Sequence, residues 1–453
     1  MSDPRPASPP GMPLPGMPPA DLSPADLSPA DLAETARRIL PGGGFGNMAG
    51  EIVIREGRGG RVRDTEGRDY IDFLLGSGPM LVGHAHPEVN AAVIEQLGRG
   101  STFFASNEPG IRLAEAIVAA VPCAEQVRFA STGTEADAYA MRLARAHRRR
   151  PKILKFEGGY HGMSDYALMS LWSAAPGNSA TPVADSAGIP DSLRGEMLVC
   201  PYNDLEAARA LVAAHHDEIA GVIVEPMQRL IPPRPGFLQG LRDLTAEHGI
   251  LLIFDEVVTG FRLAYGGAQE YYGVVPDLCT LGKVIGGGHP LSAIAGRAEI
   301  MAHFDRARAG DAFLPQIGTL SGNPVAAAAG LATLEILRRP GAYERIFATG
   351  RALQAALREA LAEAGIPALI LGEPPMFDAV FTTRATITEH RGMLDTDKAM
   401  SGRFNAFLRA RGVFKSEGKI YVSLAHDARD ITEAGTAFTE AARQAKAPSP
   451  AHA

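Results

Sequence analysis

The sequence predicts an α/β protein with a large domain on a mostly parallel sheet covered on both faces, beside a smaller α+β domain. Three observations carry this expectation. From about residue 101 to 300, strand-like apolar runs alternate with helical patterns, as successive βα units do. The strands in that stretch are apolar throughout instead of alternating, which fits a sheet buried on both faces. A chain of 453 residues also exceeds what one compact core organises, so two domains are expected.

Residues 1–36 are dominated by Pro, Ala, Ser, Asp and Leu, and Pro-Ala-Asp-Leu recurs at Pro19, Pro24 and Pro29. Such composition predicts a disordered, low-complexity tail. Residues 37–100 read as the N-terminal part of the small domain. A Gly-rich turn, Pro41 to Gly50, leads to strand-like Ile52 to Ile54 and Gly60 to Asp64. The turn Thr65-Glu66-Gly67 then leads to a strand over Tyr70 to Phe73.

The large domain is expected over 101–334. Its elements are a helix over Ile111 to Val121, a strand over Gln126 to Ala130, a helix from Thr134 and a strand over Lys152 to Phe156. A strand over Gly221 to Glu225, a helix over Gly236 to His248, and strands over Ile250 to Phe254 and Leu278 to Leu281 follow. A helix over Val325 to Arg338 leads into the C-terminal part of the small domain, 335–447, which ends on a strand from Ile420 to Leu424.

The bulk properties exclude several classes. Net charge is −7, which argues against nucleic acid or an anionic membrane as the main partner. Cys123, Cys200 and Cys279 are far apart without a metal or disulfide spacing, which suits a reducing cytoplasm. No apolar run reaches the roughly 18 residues a membrane helix needs, and no signal peptide pattern is present at the N-terminus. His84 and His86 lack nearby acidic ligands or a second pair, so no metal site is expected.

The chemistry is expected around Lys283. It lies between the apolar run Leu278 to Leu281 and the glycines Gly286 to Gly288. Glycines let the backbone come close to a ligand, and a lysine amine in such a site can lose its proton and form a Schiff base. Asp255 tips the apolar strand Ile250 to Phe254. A lysine for an aldehyde and a carboxylate for a pyridinium nitrogen are the two groups pyridoxal phosphate requires of its protein.

Other turns bear on the same cofactor. Ser131 to Ala136 follows a strand and opens a helix, with capping-box spacing between Thr132 and Glu135. Such a helix start either binds phosphate through its free N–H groups or is simply a cap. Phe156 to Gly162 puts Tyr160 and His161 after a strand, either to lie on a ring or to pack a turn. Val257 shares a strand side with Asp255 and covers a ligand or belongs to the core. Glu225-Pro226-Met227-Gln228 ends an apolar strand, and Gln228 offers donor and acceptor together. Gly318 to Pro324 is a small-residue turn entering an Ala-rich helix.

Together these motifs resemble the class III, fold-type I pyridoxal-phosphate-dependent aminotransferases. The resemblance is greatest to the subgroup containing glutamate-1-semialdehyde 2,1-aminomutase, and it spans about Pro41 to His426 in family order. It implies a seven-stranded-type large-domain sheet and pyridoxal 5'-phosphate as cofactor. Lys283 would form the Schiff base and Asp255 would pair with the pyridinium nitrogen. Tyr160 and Val257 would flank the ring, with His161 and Glu225 beside it. Thr132, Gly133 and Thr134 would hold the phosphate, and Gln228 would lie near the phenolic oxygen. Thr319 would add a phosphate contact from a neighbouring subunit, making a homodimer with active sites at the interface. The implied partners are a small-molecule amino donor and a keto-acid acceptor.

The reaction is expected to be transamination between an amino acid or amine and a keto acid, with the aminomutase reaction forming 5-aminolevulinate as the alternative. Gly76 to Met80 and Asp185 to Pro190 lean toward the aminomutase. The arginine-free loop Gly44 to Met48, the absence of a tryptophan beside Gly76-Ser77, and Gln228 lean away, and the short stretch Val413 to Lys419 aligns no glutamate securely. Arg55, Arg229, Arg262 and Arg409 are candidates for a substrate carboxylate. A transcription regulator on the same fold would need a basic helix-turn-helix, and a dead scaffold would lose Lys283 or Asp255. Both residues are present, and the segment before the match is low-complexity and not basic.

Overall fold

The computed structural model describes residues 28–46, 52–173 and 181–446. The first two Pro-Ala-Asp-Leu copies and part of the Gly44 to Met48 loop lie outside the described residues. The third copy corrects the expected tail, because it opens helix α1, Pro29–Ile39. Ser28 Oγ accepts from the Asp31 N–H at 3.2 Å, and Asp31 accepts from the Ser28 N–H at 3.1 Å. Pro29 fills a first-turn position where no hydrogen bond is lost. The repeat thus ends in a reciprocal cap that its composition does not reveal.

Contacts divide the chain into two compact units. One holds the described residues up to Arg55 together with Asp64–Arg68, and the other holds Glu56–Arg63 and the chain from Asp69 onward. The expected domain boundary at residue 334 falls inside the helix Pro324–Leu337, which runs on past it.

Strands β1 (Ile54–Arg58), β2 (Arg61–Asp64) and β3 (Asp69–Asp72) come first, followed by helices α2 (Pro87–Leu97) and α3 (Glu108–Ala120). The central sheet then uses β4 (Gln126–Ala130), β5 (Lys152–Phe156), β6 (Met197–Cys200), β7 (Ile219–Val224), β8 (Leu251–Glu256), β9 (Leu278–Leu281) and β10 (Ser292–Gly296). Its order is β4-β10-β9-β8-β7-β5-β6. The pairs from β9 to β6 are parallel, while β10 runs antiparallel to both neighbours. The mixed α/β fold matches fold-type I transferases. Near its C-terminus the chain adds β11 (Ala368–Glu373), β12 (Met376–Phe381), β13 (Val413–Phe414) and β14 (Ile420–Tyr421). β13 pairs in parallel with β3, so sequence-distant segments share the four-stranded sheet β1-β2-β3-β13.

Every residue of β7, β8 and β9 is buried, including Asp255 and Glu256 at the end of β8 and Thr280 in β9, as in a sheet covered on both faces. Helix α4, Gly133–Arg148, follows β4 and lays Ala136, Ala140, Leu143 and Ala144 against the sheet. The Ala-rich helix Pro324–Leu337 presses on the single turn Lys283–Gly286. A Cβ at Gly330 would stand 2.0 Å from the Ile285 carbonyl oxygen, so this contact tolerates only glycine without backbone movement.

Gly330→Ala is therefore expected to destabilise by about 1–3 kcal/mol, as overpacking does, with a Tm several degrees lower. Gly402→Ala, at an exposed site with nothing within 4 Å in the helix Lys398–Ala410, should be neutral or stabilising. Thermal unfolding of both variants checks the contrast; equal Tm values would contradict the packing argument.

Candidate active site

The loops that follow β4, β5, β7, β8 and β9 leave the central sheet at the same edge, where open α/β sheets place ligands. Asp255 lies one residue before the end of β8, only 5% exposed, and opposite Thr280 of β9 in the strand register. Its Oδ2 is 2.8 Å from His161 Nδ1, and its Oδ1 accepts from the Val257 N–H at 3.1 Å. The strand and two neighbouring groups therefore fix the direction of this carboxylate.

Lys283 follows β9 in a left-handed conformation at φ 47°. That region is strained for a residue with a Cβ, and such strain gathers at functional sites. Burial, aided by the like charge of Lys419, lowers the Lys283 ammonium below the ordinary lysine range, while Tyr421, Asp255 and Glu225 pull the other way. A Cβ at Gly78 would lie 3.4 Å from Lys283 Cδ and 3.1 Å from the Tyr421 ring, which makes glycine the residue that lets this loop approach.

Val257 ties three loops together. Its Cγ1 lies 3.0 Å from where Gly133 would carry a Cβ and 3.1 Å from the same point on Gly282. The start of α4 and the turn holding Lys283 thus close on one side chain. At that helix start, Thr132 Oγ1 accepts from the Glu135 N–H at 3.2 Å, and Glu135 accepts from the Ser131 and Thr132 N–H groups at 2.9 and 3.0 Å. The cap uses those donors and leaves the first-turn N–H groups of Gly133 and Thr134, which have no partner within the helix. Thr134 Oγ1 accepts from Met163 N–H at 3.2 Å, joining the loop after β5 to the same place.

Tyr160 N–H donates to Glu225 Oε2 at 2.9 Å, and the Arg229 guanidinium lies 5.3 Å from the Tyr160 ring centre. Gln228 Nε2 donates to the Glu157 carbonyl at 2.7 Å. Gln228 Oε1 and His161 Nε2 are buried with no hydrogen-bond partner among the described residues. Both lie near Gly159, 3.5 and 3.1 Å from the point where a Cβ would stand. Buried polar atoms of this kind are normally satisfied, so the pair fits a polar ligand.

Thr319 is placed apart from this cluster. It is exposed and lines a groove with Phe103, Phe104, Ser106 and Ile317. Among the arginine candidates, Arg262 is fully buried, its guanidinium spent on the carbonyls of Gly78, Pro375 and Val422. Arg409 lies in the last turn of the helix Lys398–Ala410, and Arg55 is an exposed residue of β1. Lys419, missed in the sequence, has its amine 5.8 Å from the Tyr421 ring, and burial lowers its pKa to about 7. Asp137 was missed too. Its one advance signal is an acid on the helix stripe otherwise made by Ala140, Met141 and Ala144.

The arrangement fits pyridoxal 5'-phosphate. A helix start offers N–H groups to an anion, a buried carboxylate suits a cationic ring nitrogen, and a desolvated amine suits an aldehyde. Comparison with known proteins agrees. The aminotransferase class-III family matches residues 45–396. Two curated relatives are glutamate-1-semialdehyde 2,1-aminomutase 2 of Brevibacillus brevis, 41% identical, and the glutamate-1-semialdehyde 2,1-aminomutase of Desulforudis audaxviator, 43% identical. The matches span 90% of this chain in both cases, and 97% and 96% of the relatives. Among solved structures, an omega-transaminase from Sphaerobacter thermophilus is 36% identical with a TM-score of 0.87, covering 93% of this chain and 99% of that one. The chain belongs to the class III aminotransferases, enzymes that work with pyridoxal 5'-phosphate.

Proposed function

We propose that Lys283 is the covalent attachment point of the cofactor and the group that moves the substrate proton, and that Asp255 holds the proton on the cofactor's ring nitrogen. Thr132, Gly133 and Thr134 receive the phosphate, Tyr160 and Val257 flank the ring, and Gln228 and His161 turn their unpartnered atoms toward it. Glu225 fixes the Tyr160 backbone. The bound cofactor supplies an electron sink for the carbon that loses its proton. Lys283 can serve as base because burial favours its neutral amine. No carboxylate is bonded to Arg229 or Lys419 among the described residues, and these two cations are the proposed seat of a substrate carboxylate.

For the overall reaction, the exchange of amino and carbonyl positions within glutamate-1-semialdehyde, forming 5-aminolevulinate, takes first place. The observation that carries it is the 41% and 43% identity to two aminomutases over nine tenths of the chain. The expectation of an intermolecular transaminase becomes the second reading. Gln228 and the loop from Gly44 favour it, as does the fold of the Sphaerobacter transaminase. The proposed active unit is a homodimer. Phe103, Phe104, Ile317 and Leu320 are exposed apolar side chains near Thr319, and a second subunit covering them would bring Thr319 to its partner's phosphate. Buried free Cys123, Cys200 and Cys279 suit a reducing compartment, and the cytoplasm is the proposed location.

The purified protein should be yellow, and Lys283→Ala should lose the visible absorption band and the borohydride-trapped adduct; a variant with the band intact refutes the attachment point. Asp255→Ala should retain part of the cofactor but lose about 10²-fold or more in kcat, the scale of removing an electrostatic partner of the reacting group. Incubation with glutamate-1-semialdehyde and no keto acid separates the two reactions. Formation of 5-aminolevulinate supports the first, and its absence alongside rapid half-reaction with α- or β-amino acids supports the second. Lys419 loses its charge as pH rises through about 7. KM for a carboxylate-bearing substrate should therefore climb above that pH, and Lys419→Met should flatten the profile.

A further inference from the structure

Asp137 has no place in the roles assigned so far, yet it sits beside the group on which they depend. It lies in the second turn of α4 and is 1% exposed. The Thr280 hydroxyl donates to Asp137 Oδ1 at 2.6 Å, and Thr280 Oγ1 lies 3.5 Å from Asp255 Oδ1. One ligand-type atom each from Asp137, His161 and Asp255 lie within 4.8 Å of one another. A helix, a central strand and the loop after β5 thus bring two carboxyls and an imidazole into one dry space. The charged or titratable groups around Asp137 are Asp255, His161, Lys283 and Tyr160.

Two carboxylates this close in a low-dielectric site cannot both carry charge without a cation between them. The positive charge of Lys283 favours the ionised Asp137, but its effect is weaker than those of burial, Asp255 and Thr280. Burial first, and then the neighbouring Asp255, push the Asp137 carboxyl well above the usual aspartate range. Thr280, which bonds the one and reaches toward the other, fixes their relative position.

We propose that Asp137 is a positioning residue that keeps its proton and shares it with Asp255, so that the partner of the cofactor's ring nitrogen is a two-carboxyl unit braced by Thr280 and His161. The proton lies between the two aspartates, no bond to the cofactor is made by Asp137 itself, and the unit acts through Asp255 alone. Its effect is to hold Asp255 in one orientation and to spread its charge. This rests on the reading of Asp255 as the ring-nitrogen partner.

Asn reproduces a neutral aspartic acid, with its oxygen accepting from Thr280 and its amide donating to Asp255, whereas Ala leaves a hole. In apoprotein reconstitution, Asp137→Ala is expected to lose about tenfold or more in pyridoxal phosphate affinity and Asp137→Asn to recover most of it. The cofactor-free protein gives a second readout. An aspartate in the unfolded chain ionises near pH 4, so a native Asp137 that keeps its proton costs more stability the further pH rises above that value. The Tm advantage of Asp137→Asn over wild type should therefore widen by a few degrees from about pH 5.5 to about pH 8. A gap that stays flat with pH, an Asn variant as weak as Ala, or an Ala variant that binds like wild type would each overturn the proposal. If the alanine variant does not fold, the Asn temperature series decides alone. A wild-type protein that takes up no pyridoxal phosphate would instead sink the reading of Asp255, while the cofactor-free series still tests Asp137.

Discussion

Asp255 sets the terms for everything around it. A carboxylate so deeply buried is unfavourable unless hydrogen bonds and opposite charge replace water, and this one is held by His161 Nδ1 and the Val257 N–H. Its position near the end of β8 means that strand register, with Thr280 beside it, decides where it points. Two residues on, Val257 fills the space between Gly133 and Gly282. The helix start, the central strand and the lysine turn are therefore one mechanical unit, and none of the three can shift without opening a void or a clash.

The lysine turn shows how packing holds a strained backbone. Lys283 has positive φ, and the turn it begins is pinned from outside by Gly330 against the Ile285 carbonyl. Burial alone does not make such a lysine reactive. Lys155 is fully buried and its pKa is lowered to about 7, yet its amine donates to the carbonyls of Ala167 and Met169 at 2.7 and 2.8 Å. Those bonds spend the amine on holding the chain after β5. Lys283 differs in that no hydrogen bond occupies its amine among the described residues, while Tyr421 and Gly78 lie beside its stem.

Charge is arranged with the same economy. Arg262 follows β8, but its guanidinium is committed to the backbone carbonyls of Gly78, Pro375 and Val422. Arg229 stacks on Tyr160 instead, and Lys419 sits by Tyr421, so the two remaining cations approach the site from separate segments and repel each other across it. An anion between them would relieve that repulsion, which fits their proposed role as the seat of a substrate carboxylate.

The local elements were legible because their signals are local. Gln126–Ala130, Lys152–Phe156 and Leu278–Leu281 are strands over the residues expected from the sequence, and the Thr132–Glu135 cap starts its helix. Lys283 and Asp255 could be singled out because a lysine beside glycines and an acid ending an apolar strand are anomalies in sequence. β10 was not legible, since Ser292–Gly296 is a run of mostly small residues, and only its antiparallel pairing between β4 and β9 makes it a strand. Helix α1 was hidden by a composition that reads as tail. The approach of Asp137 to Asp255 and of Lys419 to Lys283 depends on segments more than a hundred residues apart. Local composition already fixes which short segments become strands and caps and which lysine and aspartate stand out. Tertiary structure alone decided which charges meet, because sheet order and register, rather than spacing along the chain, set the distances over which charges act.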